Sequence, residues 1–364
     1  MSIIRFSSVK TELYAPDADG AFAGGAYDKA VLTGRIGAFD ETGGTPADRA
    51  ALDAHIDAML AKAASGLSGP VTIMANGFQF DPRKHAGANP MKSDNPHAII
   101  FHFRDGGETQ EAYAHATGWP LWLGFKEGDG GATGLAVAFG WYSTPDFFGS
   151  LITAQKNFYM EACGFAVITA APFAMLIRRL AARIAKHPID IVCHSLGSRL
   201  TIKAILLALA QDPAIAARLG RIIILGGAEY AAAGRKLVAA LDGAAKGPEI
   251  YNFMGTSDAV LERLGQNFGP GEDGDHKVIG NAGLGLGGIS PHWIDLATGG
   301  KALNAWFEKR NDGVFLVSDL PNQAADHWGY YAVRGNMKLF NRILRERDAW
   351  SIAALRAARI PEGR

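Results

Sequence analysis

The feature that most constrains this chain is a rhythm of short, mostly apolar runs separated by helical stretches. The runs are Val71–Ala75 (VTIMA), Leu135–Tyr142, Ile189–Cys193 (IDIVC), Arg221–Gly226 (RIIILG) and Glu249–Met254. Runs this short, with little polar alternation, suit strands covered on both faces. Between and after them, Thr153 to Lys186, Leu196 to Ala210 and Lys236 to Ala245 carry apolar residues at helical spacing. A helix between two strands is a crossover, and crossovers join parallel neighbours. The pattern therefore predicts an α/β protein with a mostly parallel sheet and helices on both faces, whose ligand sites fall at the carboxyl ends of the strands. Upstream, Ile3 to Val9 alternates like a half-exposed strand and Ala47 to Ala64 is spaced like a helix.

At 364 residues with 48% hydrophobic and 20% charged side chains, the chain can bury a large core. No Pro/Ser-rich linker divides it, so residues 1–364 are read as one domain. Two stretches interrupt the rhythm. Residues 81–134 hold Trp119, Trp122 and Phe125, and residues 266–300 are rich in glycine. Both are expected to be insertions, acting as lids or substrate-binding loops or simply decorating the core. The three aromatics either line an apolar pocket or pack an insertion onto the core.

Thirty-six basic residues balance thirty-six acidic ones, which leaves no long-range field for a polyanion and argues against nucleic acid as a partner. Cys163 and Cys193 each sit in an apolar stretch, where a reduced, buried thiol is expected. The histidines lack HExxH spacing and the cysteines lack CxxC, so neither a metal nor any other cofactor is expected. The run Gly280 to Gly288 has GxGxxG-like spacing without a strand-turn-helix setting, and is read as loop. The N-terminus shows no basic region followed by an apolar core and cleavage site, so a cytoplasmic location is expected. The most apolar run, Gly164 to Ile177, is shorter than the roughly 20 residues that span a bilayer and contains Pro172, which predicts a buried helix and no transmembrane segment.

The chemistry concentrates at Cys193-His194-Ser195-Leu196-Gly197, where a buried strand ends and a helix begins. A serine on such a sharp turn has its hydroxyl lifted above the sheet, and small flanking residues are needed because strand and helix crowd the turn. A serine hydroxyl attacks poorly at neutral pH unless a base takes its proton and a third group orients the base. Asp258 lies just past the strand Glu249–Met254 and His327 follows the strand-like Val314 to Val317. Both positions suit such partners. Glu229 is the substitute acid, His276 and His292 are the other histidines late in the chain, and Asp258 could equally cap the helical run that follows it. His194 is expected to be a packed elbow histidine pointing away from Ser195. Backbone N–H groups would meet the developing oxyanion: Leu196 after the serine, and Phe78, or next Gln79, in the loop Asn76-Gly77-Phe78-Gln79.

VTIMANGFQ resembles the strand and HGF loop of bacterial α/β-hydrolases, and VCHSLGSRL resembles the AHSMG-type elbow of one of their branches. The likeness spans these motifs and the βα order from about Val71 to Arg345. Asn76 stands where that family usually has histidine, and Cys193 occupies the first glycine position of the G-x-S-x-G elbow. The resemblance implies an α/β-hydrolase fold and ester-type hydrolysis, with Ser195, Asp258 and His327 as the triad. The expected activity is a carboxylesterase or lipase-like acyl transfer on a small-molecule ester or lipid-like substrate. A thioesterase, lactonase or peptidase would use the same triad, and a catalytically silent hydrolase-fold binding protein is the rival from another class.

Overall fold

The computed structural model describes residues 2–9, 12–14, 35–38, 46–82, 94–103, 118–144, 151–244, 246–255, 258–310 and 323–363. Its strands are β1 (Ile3–Val9), β2 (Glu12–Tyr14), β3 (Arg35–Ala38), β4 (Val71–Ala75), β5 (Leu135–Trp141), β6 (Ile189–His194), β7 (Leu219–Leu225), β8 (Glu249–Met254) and β9 (Trp293–Ala297). They form one sheet in the order β3-β2-β1-β5-β4-β6-β7-β8-β9. From β1 to β9 that order holds seven strands, each pairing parallel to its neighbours, and β2 and β3 extend the β1 edge antiparallel. The chain is thus an α/β protein built on a seven-stranded parallel sheet, as its rhythm predicts.

The longer helices are α1 (Pro46–Ala64), α2 (Leu151–Arg183), α3 (Gly197–Gln211), α4 (Ala231–Leu241), α5 (Lys301–Arg310), α6 (Gln323–Ala332), α7 (Arg334–Arg345) and α8 (Ile352–Ala357). They lie in two layers, because the strands are apolar on both faces. On β6, Ile189, Ile191 and Cys193 face a core shared with α1 through α4, while Val192 faces a second core. That second core holds Leu303 and Phe307 of α5, Tyr330 and Tyr331 of α6, Phe340 of α7 and Leu355 of α8. Each large apolar side chain buried this fully contributes about 1.5–3 kcal/mol relative to exposure.

Two expectations need correction. β1 is not a half-exposed strand: it lies between β2 and β5, and Arg5, Ser7 and Ser8 are buried along with Ile4 and Phe6. The segment 266–300 is not wholly an insertion either. Its residues Trp293–Ala297 form β9, paired with β8 from Ile250↔Trp293 to Met254↔Ala297. Asp295 masks that strand in the sequence, yet it is buried because Asn252 Nδ2, Trp293 Nε1 and the Leu284 N–H all donate to its carboxylate. The Leu284 and Gly285 N–H groups of the glycine-rich run are taken up by this same carboxylate, so that run cradles Asp295. The apolar run 164–177 falls, as expected, within a long helix, the 33-residue α2, which continues past Pro172. Its Asn157–Arg183 portion has a mean hydropathy of 1.8 and is long enough to cross a membrane, but 61% of its most apolar window is buried inside the fold. The strand expected at 314–317 lies outside the described residues.

Candidate active site

The site forms at the carboxyl ends of β4, β6 and β8. Ser195 follows the last residue of β6 with φ of 51°, a left-handed conformation rare for a residue with a side chain. Such a turn costs about 1–3 kcal/mol and must be held from outside. Here the Ser195 N–H donates to Leu225 O at 2.9 Å. Its carbonyl accepts from the N–H groups of Ser198 and Ala228, both at 3.0 Å, and from Ser198 Oγ at 2.7 Å. The neighbouring glycines are set by close approach. A Cβ on Gly197 would stand 2.4 Å from Asn76 O, and one on Gly77 would meet His194 Nδ1 at 2.9 Å and Ser195 Cβ at 3.0 Å. The positive φ in this loop falls at Gln79 (70°), so Gly77 is required for proximity to the serine and not for the turn.

Ser195, Asp258 and His327 come together. His327 Nε2 lies 2.8 Å from Ser195 Oγ, and His327 Nδ1 lies 2.8 Å from Asp258 Oδ2. All three are at most 5% exposed. The carboxylate can only accept, so it selects the tautomer with hydrogen on Nδ1 and leaves Nε2 free to take the serine proton. Asp258 also does what a capping residue does. Its other oxygen, Oδ1, accepts from the Val260 and Leu261 N–H groups at 3.1 Å, at the start of a π-helical segment, Leu261–Phe268. One carboxylate thus caps a helix with one oxygen and orients an imidazole with the other. His327 sits within helix α6, not in the loop expected for it.

The alternatives lie elsewhere. Glu229 is fully buried beside Arg199, with Arg199 Nε 3.3 Å from its carboxylate; burial raises its pKa against the pull of that guanidinium. His276 stacks edge-on to Tyr230, and His292 Nδ1 meets Pro248 O. His194 is packed as expected, and it has a task. Its Nε2–H donates to the His327 carbonyl at 2.8 Å while its ring packs at a tilt against that of His327 and edge to face with that of Tyr331. Burial holds its pKa well below the usual imidazole value, so it stays neutral beside His327. Burial also keeps the Cys193 thiol protonated, pushing its pKa up to about 12.

The loop after β4 is fastened by residues that motif reading passed over. Asn76 Oδ1 accepts from Trp141 N–H at 2.9 Å, its Nδ2 donates to Trp141 O, and Trp141 Nε1 donates to Asn76 O at 2.7 Å. Ser143 Oγ donates to Gly77 O, and Ser143 O accepts the Gln79 N–H. That last bond removes Gln79 as an oxyanion donor. Among the described residues, the Phe78 and Leu196 N–H groups have no hydrogen-bond partner. The signal that could have flagged Trp141 and Ser143 is their position at the carboxyl end of β5.

A cavity of about 190 Å³ opens beside Ser195 and His327, walled by Phe78, Phe80, Tyr159, Leu261, Leu264 and Trp328 among others. Trp119 and Phe125 do not line it; they are buried in the second core, and Trp122 packs against that core. For these three the packing alternative holds. No group of three or more histidine, cysteine or acidic side chains suited to a metal occurs among the described residues. Compared with known proteins, the chain matches no family model and no curated protein sequence.

Proposed function

We propose that this chain is a serine hydrolase with an α/β-hydrolase fold, cleaving a carboxylic ester through an acyl-enzyme. The observation that carries this reading is the unbroken chain Ser195 Oγ, His327, Asp258, with 2.8 Å at each link, opening onto an apolar cavity. The strand order, the strained serine between β6 and α3, and the two unpartnered N–H groups beside it support the same reading.

The residues divide the work as follows. Ser195 Oγ attacks the ester carbonyl carbon while His327 Nε2 takes its proton, and Asp258 steadies the imidazolium that forms. The carbonyl oxygen becomes an anion and is met by the Phe78 and Leu196 N–H groups, which need not reorganise to receive it. His327 then gives the proton to the departing alcohol. A water molecule repeats the sequence on the acyl-enzyme, releasing the acid and restoring Ser195. A catalytically silent binding protein would have no need to hold a serine in a costly left-handed turn against a histidine-carboxylate pair.

The test is mass spectrometry after exposure to a small serine-reactive fluorophosphonate. One adduct on Ser195 in the wild type, suppressed in Ser195→Ala and His327→Ala, is expected. A folded wild-type protein that takes up no adduct would sink the hydrolase reading.

A further inference from the structure

We propose that the substrate is a small, uncharged ester whose apolar acyl group holds roughly six to eight carbon atoms, and that the segment carrying Asp258 also sets that limit. This rests on the hydrolase reading above. An apolar cavity of roughly 150 Å³ takes up one benzene molecule. At about 190 Å³, the space beside Ser195 has room for little more than that. It also falls below the roughly 300–1,000 Å³ of pockets that hold larger ligands.

The walls explain both the size and the polarity. On one side stand Phe78, Phe80 and Tyr159, with the Phe78 and Tyr159 rings edge to face at 5.6 Å. On the other stand Leu261 and Leu264 of the π-helical segment, whose first turn is tied to Asp258 Oδ1 through the Leu261 N–H. The carboxylate that orients His327 therefore also fixes the far wall, and the wall cannot retreat without disturbing that carboxylate. Among the described residues, the lining side chains that ionise are the two histidines and Tyr159, and burial raises the Tyr159 pKa well above its usual value. A charged acyl group would enter without a counter-charge, at a heavy desolvation cost.

The experiment measures kcat/KM for ethyl esters of straight-chain acids from acetate to laurate, followed by acid release, with fluorophosphonate labelling of Ser195 run in parallel. The expected result is a rise of about fourfold per methylene up to an optimum between six and eight carbons, then a fall of at least tenfold by laurate. Ethyl hydrogen succinate should be at least a hundredfold poorer than ethyl butyrate. Leu264→Trp should move the optimum shorter by two carbons or more, and Leu264→Ala should move it longer. A rate still climbing at laurate, a flat series, or an optimum that ignores both Leu264 variants would overturn the size limit. Labelling of Ser195 without cleavage of any of these esters would overturn the substrate class and leave the hydrolase reading standing. Absence of labelling would remove both.

Discussion

The same strands carry buried charge at both ends, and the two ends handle it in opposite ways. At the amino ends of β6, β7 and β8, Asp190, Arg221 and Glu249 are saturated by one another and by their neighbours. Asp190 accepts the Arg221 N–H at 2.6 Å and pairs with Arg347. Arg221 pairs with Glu249 at 3.1 Å and donates to the carbonyls of Ile343 and Arg347. Glu249 in turn accepts from Tyr251 Oη and the Ile352 N–H. This network ties α7 and the start of α8 to the sheet and leaves no reactive atom. At the carboxyl ends, Asp258 faces an imidazole and then a hydroxyl on the edge of a cavity, a line of partners that stops one step short of saturation. A saturated buried network specifies the fold, and an incomplete one beside an opening can do chemistry.

The largest expected effect tests the carboxyl end against its own neighbour. Asp258→Asn should lower kcat by about 10⁴-fold at unchanged fold, since an asparagine favours the wrong imidazole tautomer. Glu229→Gln should leave the turnover of folded protein within tenfold, because Glu229 faces Arg199 rather than His327. Its cost should appear instead as about 3 kcal/mol of lost stability, from the guanidinium left buried without its partner. Equal losses of turnover in the two variants would erase the distinction between them.

Next in size is the amino end. Arg347→Met leaves the Asp190 carboxylate, which is fully buried, without its counter-charge. We expect urea unfolding to report about 3 kcal/mol of destabilisation, while Ser195 labels at the wild-type rate. Slowed labelling in protein that is still folded would mean the two ends are coupled through the strands.

The contrast also explains what the sequence discloses. β4 to β8 are legible because burial on both faces demands mostly apolar runs, and β9 is hidden because Asp295 sits in its middle, with Asn252 of the neighbouring strand and the Leu284 N–H among the donors that make its burial possible. Ser195 is legible because a strand-turn-helix serine has a local signature, and Asp258 because it lies just past a strand end. His327 is found by its place late in the chain, but its support, a helix held by His194 through a backbone carbonyl, has no local signature. The cavity walls are the least legible part. Leu261 and Leu264 look like any apolar residues on a helix, and only the carboxylate cap upstream turns them toward Ser195. The saturated amino end likewise gives no warning, since Asp190, Arg221 and Glu249 each look like a polar residue at the edge of a strand.

The smallest effect comes from protons. Two histidines at the carboxyl end are buried and neutral: His194, held well below its usual value, and His97, lowered to about 3. Burial is the largest cause for both, aided by the nearby charge of Arg5 at His97 and by His327 at His194. Each gains a proton in the unfolded chain near pH 6.5 but not in the fold, so the unfolded state binds more protons and stability falls as pH drops below 6.5. One unit below, each costs about 1.4 kcal/mol. The raised pKa values of Asp190 and Glu229 act in the opposite sense, because there the fold takes its proton before the unfolded chain does. A difference measurement removes them. Between pH 7.5 and 5.5, His97→Gln should lose about 1.4 kcal/mol less stability than the wild type in urea titrations, whatever its starting stability. His97 meets Ser7 Oγ at 3.0 Å, and a Cβ on Gly140 would come within 2.6 Å of its ring, so there is little space for water to hydrate a charge. Identical pH slopes for the two proteins would mean that His97 is protonated inside the fold, and that burial at the carboxyl end does not keep its imidazole neutral.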